Sequence, residues 1–252
     1  MPAVSRPGRR RVGYNRPSNF AAREPRAGRS RAVFRAFSKQ GRRFRDRAEA
    51  GRVLGEALRE RYGGRDDVVV LALPRGGVPV GYELARILGA QLDVFVVRKL
   101  GVPDQPELAM GAIARGGARV FNRDVVQYSG VTQQQIEEVY ARESEELRRR
   151  EELYRGDRPW PELKDKIVVL VDDGLATGAT MRAAVAALRQ FQPAKIVVAV
   201  PVAAPEIAEL IASQVDDFVC PVQPSPFHAV GIWYDDFSPT SDQEVRELLG
   251  RA

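Results

Sequence analysis

The sequence predicts an α/β fold in which an open, largely parallel sheet is flanked by helices. Three observations carry this prediction. Short, largely apolar runs at residues 68–73, 92–97, 167–171 and 195–200 have the length and β-branched content of strands buried on both faces. Helical patterns at 78–88 and 181–191 separate members of these pairs, as crossovers between parallel strands require. Two of the runs end in Gly-containing turns that lead straight into a helix, and open α/β sheets bind ligands at such carboxyl ends.

Taken in order, residues 46–62 place Ala50, Val53, Leu54, Ala57, Leu58 and Tyr62 on one helical stripe. The run 68–73 is the first strand; Pro74, Arg75, Gly76 and Gly77 form a turn, and helix 78–88 and strand 92–97 follow. Two insertions interrupt the alternation. Residues 107–122 predict an antiparallel hairpin, with 109–114 and 119–121 as strands around Gly116 and Gly117. Residues 132–154 predict a long charged helix, opened by Thr132 and Gln135 at capping-box spacing. Its apolar positions Ile136, Val139, Tyr140, Leu147 and Leu153 face the body. A further strand is expected at 218–221, and a helix start within 238–245 with Thr240 or Ser241 as cap. No segment repeats.

Charge divides the chain. Of its 39 Lys/Arg and 33 Asp/Glu, residues 1–47 hold 15 basic and 2 acidic side chains, so the remainder is mildly acidic despite a net charge of +6. Residues 1–44, rich in Arg, Gly, Pro and Ser with no sustained apolar period, predict a disordered tail. The domain is expected over 45–252. Such a tail suits a weak nucleic-acid or anionic-surface contact, an organellar transit peptide or a dispensable extension. Its few aromatics (Tyr14, Phe20, Phe34, Phe37) give little basis for a stacking platform. Cys220, the single cysteine, sits in an apolar run and reads as a small buried hydrophobe. No disulfide framework follows from it. No apolar run has transmembrane length and no signal-peptide core precedes the domain, so a cytoplasmic protein with no membrane partner is expected.

The run Val168-Val-Leu-Val-Asp-Asp-Gly-Leu-Ala-Thr-Gly-Ala-Thr180 concentrates the chemistry. A strand ends in Asp172 and Asp173, which can accept hydrogen bonds from vicinal sugar hydroxyls or hold a hydrated Mg²⁺. The following turn and helix start offer amides and two hydroxyls where the helix dipole favours a phosphate. Neither G-x-G-x-x-G nor G-x-x-x-x-G-K-[ST] is present. The plainer alternative is a βα turn with a solvated acidic pair, but structure alone seldom needs two carboxylates directly before Gly-x-Ala-Thr-Gly. Two further groups are expected at the same mouth: Arg75 with Gly76 and Gly77, and the cations Arg98 and Lys99 after residue 97. Residues 101–107 have loop composition and suit a lid.

This motif resembles the 5-phosphoribosyl diphosphate (PRPP) signature of the type I phosphoribosyltransferases, and the Pro-Arg-Gly-Gly loop resembles an uncharacterised bacterial subgroup of them. The resemblance spans about residues 46–240. It implies an open sheet with a small hood, drawn from 101–130 and 222–240, and transfer of phosphoribosyl to a nucleobase or related acceptor with release of diphosphate. Asp172 and Asp173 then take the ribose. Gly174, Leu175, Ala176, Thr177, Gly178, Ala179 and Thr180 wrap the 5′-phosphate. Arg75, Gly76 and Gly77 meet the diphosphate, in a loop that often has an unusual peptide conformation in this family. Arg98 or Lys99 neutralises charge on the leaving group, and Mg²⁺ is held mostly by ligand oxygens and water. For the acceptor, Trp233 or Tyr234 would stack on a base and Asp235 or Asp236 would read its nitrogens; sealing of the core by these aromatics is the alternative. His228 reads as a surface or structural residue. A homodimer is compatible with the resemblance.

One position departs from the purine-salvage pattern. Ala176 stands where those enzymes usually carry an acidic residue, as in uracil-type members, yet the uracil-type recognition sequence is not evident. A PRPP-sensing regulator that binds nucleic acid through its basic arm is a rival reading. PRPP synthesis is less well supported, because no ATP-binding element is apparent.

Overall fold

The computed structural model describes residues 43–252, so the expected tail, with any nucleic-acid contact it makes, lies outside the described residues except at its end. The order of elements is α1 (Arg47–Tyr62), β1 (Val68–Ala72), α2 (Gly77–Leu88), β2 (Gln91–Val94), β3 (Val97–Val102), β4 (Gln105–Ala114), β5 (Ala118–Phe121), α3 (Arg123–Ser129), α4 (Gln133–Arg155), β6 (Ile167–Val171), α5 (Ala179–Leu188), β7 (Lys195–Ala199), α6 (Pro205–Ala212), β8 (Asp217–Val219) and α7 (Asp242–Gly250). Helix α1 is capped by Asp46, whose carboxylate accepts the Glu49 amide at 2.7 Å, and α4 has the Thr132–Gln135 capping box. Ser241 caps α7. No described helix is long and apolar enough to cross a membrane.

Five parallel strands form the main sheet in the order β2-β1-β6-β7-β8. Strand alternation sends Val68, Val70 and Ala72 into the core beneath α1, α2 and α4, while Val69, Leu71 and Leu73 enter the core shared with α5. The chain moves outward from β1 to β2, then returns to the other side of β1 as β6. The crevice at such a reversal of strand order is the usual ligand site of an open α/β sheet.

A three-stranded antiparallel sheet, β3-β4-β5, forms the second layer against α4 and α5. Here the structure corrects the sequence reading. The apolar run 92–97 is not one strand: β2 stops at Val94, the Phe95 amide donates to the Ala72 carbonyl at 2.9 Å, and Val97 begins a strand of the other sheet. Segment 101–107 is a hairpin rather than a loop, because β3 runs to Val102 and β4 starts at Gln105. The two expected hood segments lie in different environments. Residues 101–121 pair within the antiparallel sheet, whereas 222–240 joins a separate apolar cluster with Phe44, Ala50 and Val202.

The tail boundary also moves. Phe44 is fully buried; its amide donates to Trp233 O and its carbonyl accepts from Asp235 N, both at 2.8 Å. A strap at 233–238 thus fastens the start of the domain.

Candidate functional site

Strands β1 and β6 are in register, with Ala72 opposite Val171, so the two loops that leave them are neighbours. The Leu73 amide donates to Val171 O at 2.9 Å and fixes their approach. The Pro74–Arg75 peptide bond is cis. Gly76 then runs against the acidic pair: a Cβ there would lie 2.0 Å from Asp173 Oδ2, and one on Gly77 would lie 2.7 Å from Val171 O. Any side chain at either position collides with the neighbouring loop.

Asp172 and Asp173 sit in a recess, each with one oxygen engaged. Asp172 Oδ1 accepts the Asp173 amide at 2.9 Å. Asp173 Oδ2 accepts from Arg47 Nε and lies 2.9 Å from Arg47 Nη2. Desolvation and the adjacent Asp173 charge push the Asp172 carboxyl well above the usual carboxylate range. Desolvation also raises Asp173, opposed by Arg47. Among the described residues, no group bonds to Asp172 Oδ2 or Asp173 Oδ1. One acceptor per carboxylate therefore remains for a ligand.

The loop beyond divides into a packed half and an open half. Gly174 is wedged between Val202 and Val230, and the buried Leu175 donates its amide to Val202 O at 2.9 Å. The Leu175 amide is therefore engaged within the protein and not open to a ligand, unlike the sequence reading. Ala176, Thr177 and Thr180 are exposed, and Ala179 is half-buried with its amide 3.4 Å from Thr177 Oγ1. Gly178 caps α5 in the left-handed conformation (φ 67°), with no side-chain cap on the helix. Among the described residues, none accepts a hydrogen bond from the amides of Ala176, Thr177 or Gly178. They are unpaired donors at a helix start, where the dipole adds positive potential, although Gly178 itself is buried.

Arg75 is half-exposed, and its Nη1 lies 3.8 Å from Asp242 Oδ1, the first residue of α7. Arg98 and Lys99 are not at the strand ends. Both lie inside β3, where successive side chains leave opposite faces. Arg98 donates to Glu143 of α4 through Nε at 2.9 Å and Nη2 at 2.6 Å, and Lys99 lies 3.6 Å from Glu107. The expected cationic pair at the mouth is thus committed to the second sheet.

Of the two aromatic readings, core sealing matches Tyr234. Tyr234 is 2% exposed, with its ring between Phe44 and Phe237, and its hydroxyl donates to the Asp173 carbonyl at 2.6 Å. Burial pushes its phenol up. It supports the acidic loop and has no free face for a base. Trp233 is half-buried in the same cluster, and the exposed Asp235 lies 3.4 Å from Arg43. His228 is exposed, and Cys220 is buried with its thiol donating to Val222 O. Elsewhere, a polar cavity of about 510 Å³ is lined by Arg115, Arg148, Glu151 and Arg155, among others. Its guanidinium groups already have partners: Glu151 for Arg115, Glu152 for Arg148 and Asp93 for Arg155.

Arg47 is the residue that sequence reasoning missed. It falls on the first turn of the predicted helix 46–62 with no local sign of a function, and its partner is 126 positions away. The Asp46 cap, marking a helix start immediately before it, was the only local signal.

A parallel sheet covered on both faces thus carries an acidic pair and a turn of unpaired amides at its point of strand reversal. A model of the phosphoribosyl transferase domain matches residues 45–228, and the chain belongs to that family. A protein known from two Mycobacterium tuberculosis strains, provisionally named a phosphoribosyl transferase, is 47% identical over 209 residues, covering 83% of this chain and 47% of its own. The chain thus spans about half the length of the curated relatives it matches. The crystal structure of TT1426 from Thermus thermophilus is 46% identical, covers 82% of this chain and 97% of its own, and superposes with a TM-score of 0.75.

Proposed function

We propose that this chain transfers the 5-phosphoribosyl group of PRPP to a nucleobase or related acceptor and releases diphosphate. The observation that carries the reading is the pairing of two free acceptors, Asp172 Oδ2 and Asp173 Oδ1, with the unpaired amides of Ala176, Thr177 and Gly178. A ribose 5-phosphate needs both: acceptors for two vicinal hydroxyls and donors for a dianion. In this reading Thr177 and Thr180 add hydroxyls to the phosphate turn. Gly76 and Gly77 let the loop after β1 approach the diphosphate, and Arg75 neutralises it.

The bond from the anomeric carbon to diphosphate oxygen breaks as the acceptor's nucleophile bonds to that carbon. The protein's part is orientation and charge stabilisation. Among the described residues there is no cluster of three or more His, Cys, Asp or Glu side chains. Mg²⁺ would therefore be held chiefly by diphosphate oxygens and water, with the free acidic oxygens nearby, and would shield the leaving group. Ala176 leaves no carboxylate at the position before Thr177, which favours an acceptor that needs no acidic partner there.

Purified protein incubated with PRPP and Mg²⁺ against a panel of bases, with diphosphate as readout, tests the proposal. Release that depends on one acceptor class supports it. No release with any acceptor, together with no PRPP binding, refutes it.

A further inference from the structure

Arg47 makes contacts that go beyond holding a helix in place. Its side chain is 11% exposed. Nε and Nη2 both reach Asp173 Oδ2 at 2.9 Å, while Nη1 donates to the Ser238 carbonyl at 2.8 Å. The guanidinium carbon lies 4.0 Å from the centre of the Phe237 ring, and that ring packs on Tyr234. Three elements therefore meet on Asp173: α1 through Arg47, the strap through Tyr234, and the loop after β1 through Gly76; Ser238 of the strap holds Arg47.

Asp173 Oδ2 is closed in by Arg47 on one side and the Gly76 backbone on the other. The carboxylate cannot rotate without breaking the forked contact, and Arg's planar fork is suited to such fixing. Its other oxygen, Oδ1, has no hydrogen-bond partner among the described residues. We propose that Arg47 is a positioning residue that orients the Asp173 carboxylate so that Oδ1 reads one sugar hydroxyl, and that it links this recognition to the carboxyl-terminal strap. The proposal rests on the reading of the acidic pair as the ribose site.

Without the guanidinium, Asp173 Oδ2 is left against the Gly76 backbone with no donor. The carboxylate then loses its orientation or takes a proton, and in either case the charged, oriented acceptor for the hydroxyl is lost. The hydrogen bonds of Arg47 go to Asp173 and Ser238, so the anion turn at 176–180 keeps its donors. The effect of removing Arg47 is therefore specific to a hydroxyl and does not extend to the phosphate.

The test is calorimetric titration of the full chain with ribose 5-phosphate, 2-deoxyribose 5-phosphate and 3-deoxyribose 5-phosphate. Wild type is compared with Arg47→Met, which keeps the length of the stem, and Arg47→Lys, which keeps the charge but not the fork. In wild type each missing hydroxyl should cost about tenfold in affinity, the worth of one hydrogen bond to a charged group. In Arg47→Met the penalty for one of the two deoxy sugars should fall to within about twofold while the other persists. Arg47→Lys should fall between. Unchanged penalties in both variants, or equal weakening of all three sugars, overturns the role of Arg47. If Arg47→Met does not fold by circular dichroism, the Arg47→Lys penalties decide on the same terms. Wild type that binds all three sugars equally refutes the ribose reading itself, and the inference with it.

Discussion

Gly76 and Asp173 are in backbone-to-carboxylate contact: a methyl group on Gly76 would stand 2.0 Å from Asp173 Oδ2 and 2.7 Å from its Cγ. The loop after β1 and the loop after β6 are therefore built against each other, and a change in one moves the other. Gly76→Ala should lower stability by about 1–3 kcal/mol, as overpacking does, and weaken PRPP binding at least tenfold. Thermal melts and PRPP titration check both. A variant with wild-type affinity for PRPP would show that the two loops are not coupled in binding.

For Tyr234 the sequence left two readings, stacking on a base and sealing the core, and its burial matches the second. Tyr234→Phe keeps the ring between Phe44 and Phe237 and removes only the hydroxyl that donates to the Asp173 carbonyl. Urea unfolding should show a loss of about 0.5–1.5 kcal/mol, the net worth of such a hydrogen bond. The KM for the acceptor should stay within about twofold, since the ring has no free face. Unaltered stability with a changed acceptor KM would instead support a stacking role.

These two cases mark what the sequence could and could not disclose. Strand 167–171, the Thr132–Gln135 cap and the hairpin around Gly116 and Gly117 each depend on residues close in sequence, and all three are found. The order of Asp172, Asp173 and the Ala176–Thr180 turn at a strand's end is local as well. Arg98 and Lys99 were misplaced because Phe95 and Val96 are as buried as the strand before them, so the apolar pattern runs unbroken from one sheet into the other. Helices α3 and α6 went unpredicted, being seven and eight residues long, too short for a clear period. The Arg47–Asp173 and Tyr234–Asp173 contacts join residues far apart, which only the fold reveals.

Asp242 competes for Arg75. Its carboxylate lies 3.8 Å from Arg75 Nη1 and also accepts the Tyr154 hydroxyl at 2.8 Å. Asp242→Asn keeps an acceptor for Tyr154 and removes the charge that holds Arg75. Free diphosphate should bind up to about fivefold more tightly, the limit for a half-exposed ion pair. Calorimetry with diphosphate measures this. Weaker or unchanged affinity would place Arg75 outside the diphosphate site.

Burial of Asp172 makes stability depend on pH. Its folded-state carboxyl is held above the unfolded range by desolvation and by Asp173, so the folded chain binds the extra proton. Stability from this group is present in full below the unfolded pKa and is lost as pH rises through the folded one. Asp172→Asn has no such loss. Its Tm should exceed that of wild type at pH 7, and the difference should shrink as pH falls toward about 4. A difference constant with pH would contradict the assigned direction.

The most direct test is PRPP binding in the presence of Mg²⁺ by wild type and by Asp172→Asn/Asp173→Asn, with circular dichroism to verify the fold. Removing the charged acceptors of two sugar hydroxyls should reduce affinity on the order of a hundredfold or more in a folded variant. Affinity equal to that of wild type would show that the acidic pair does not hold the sugar.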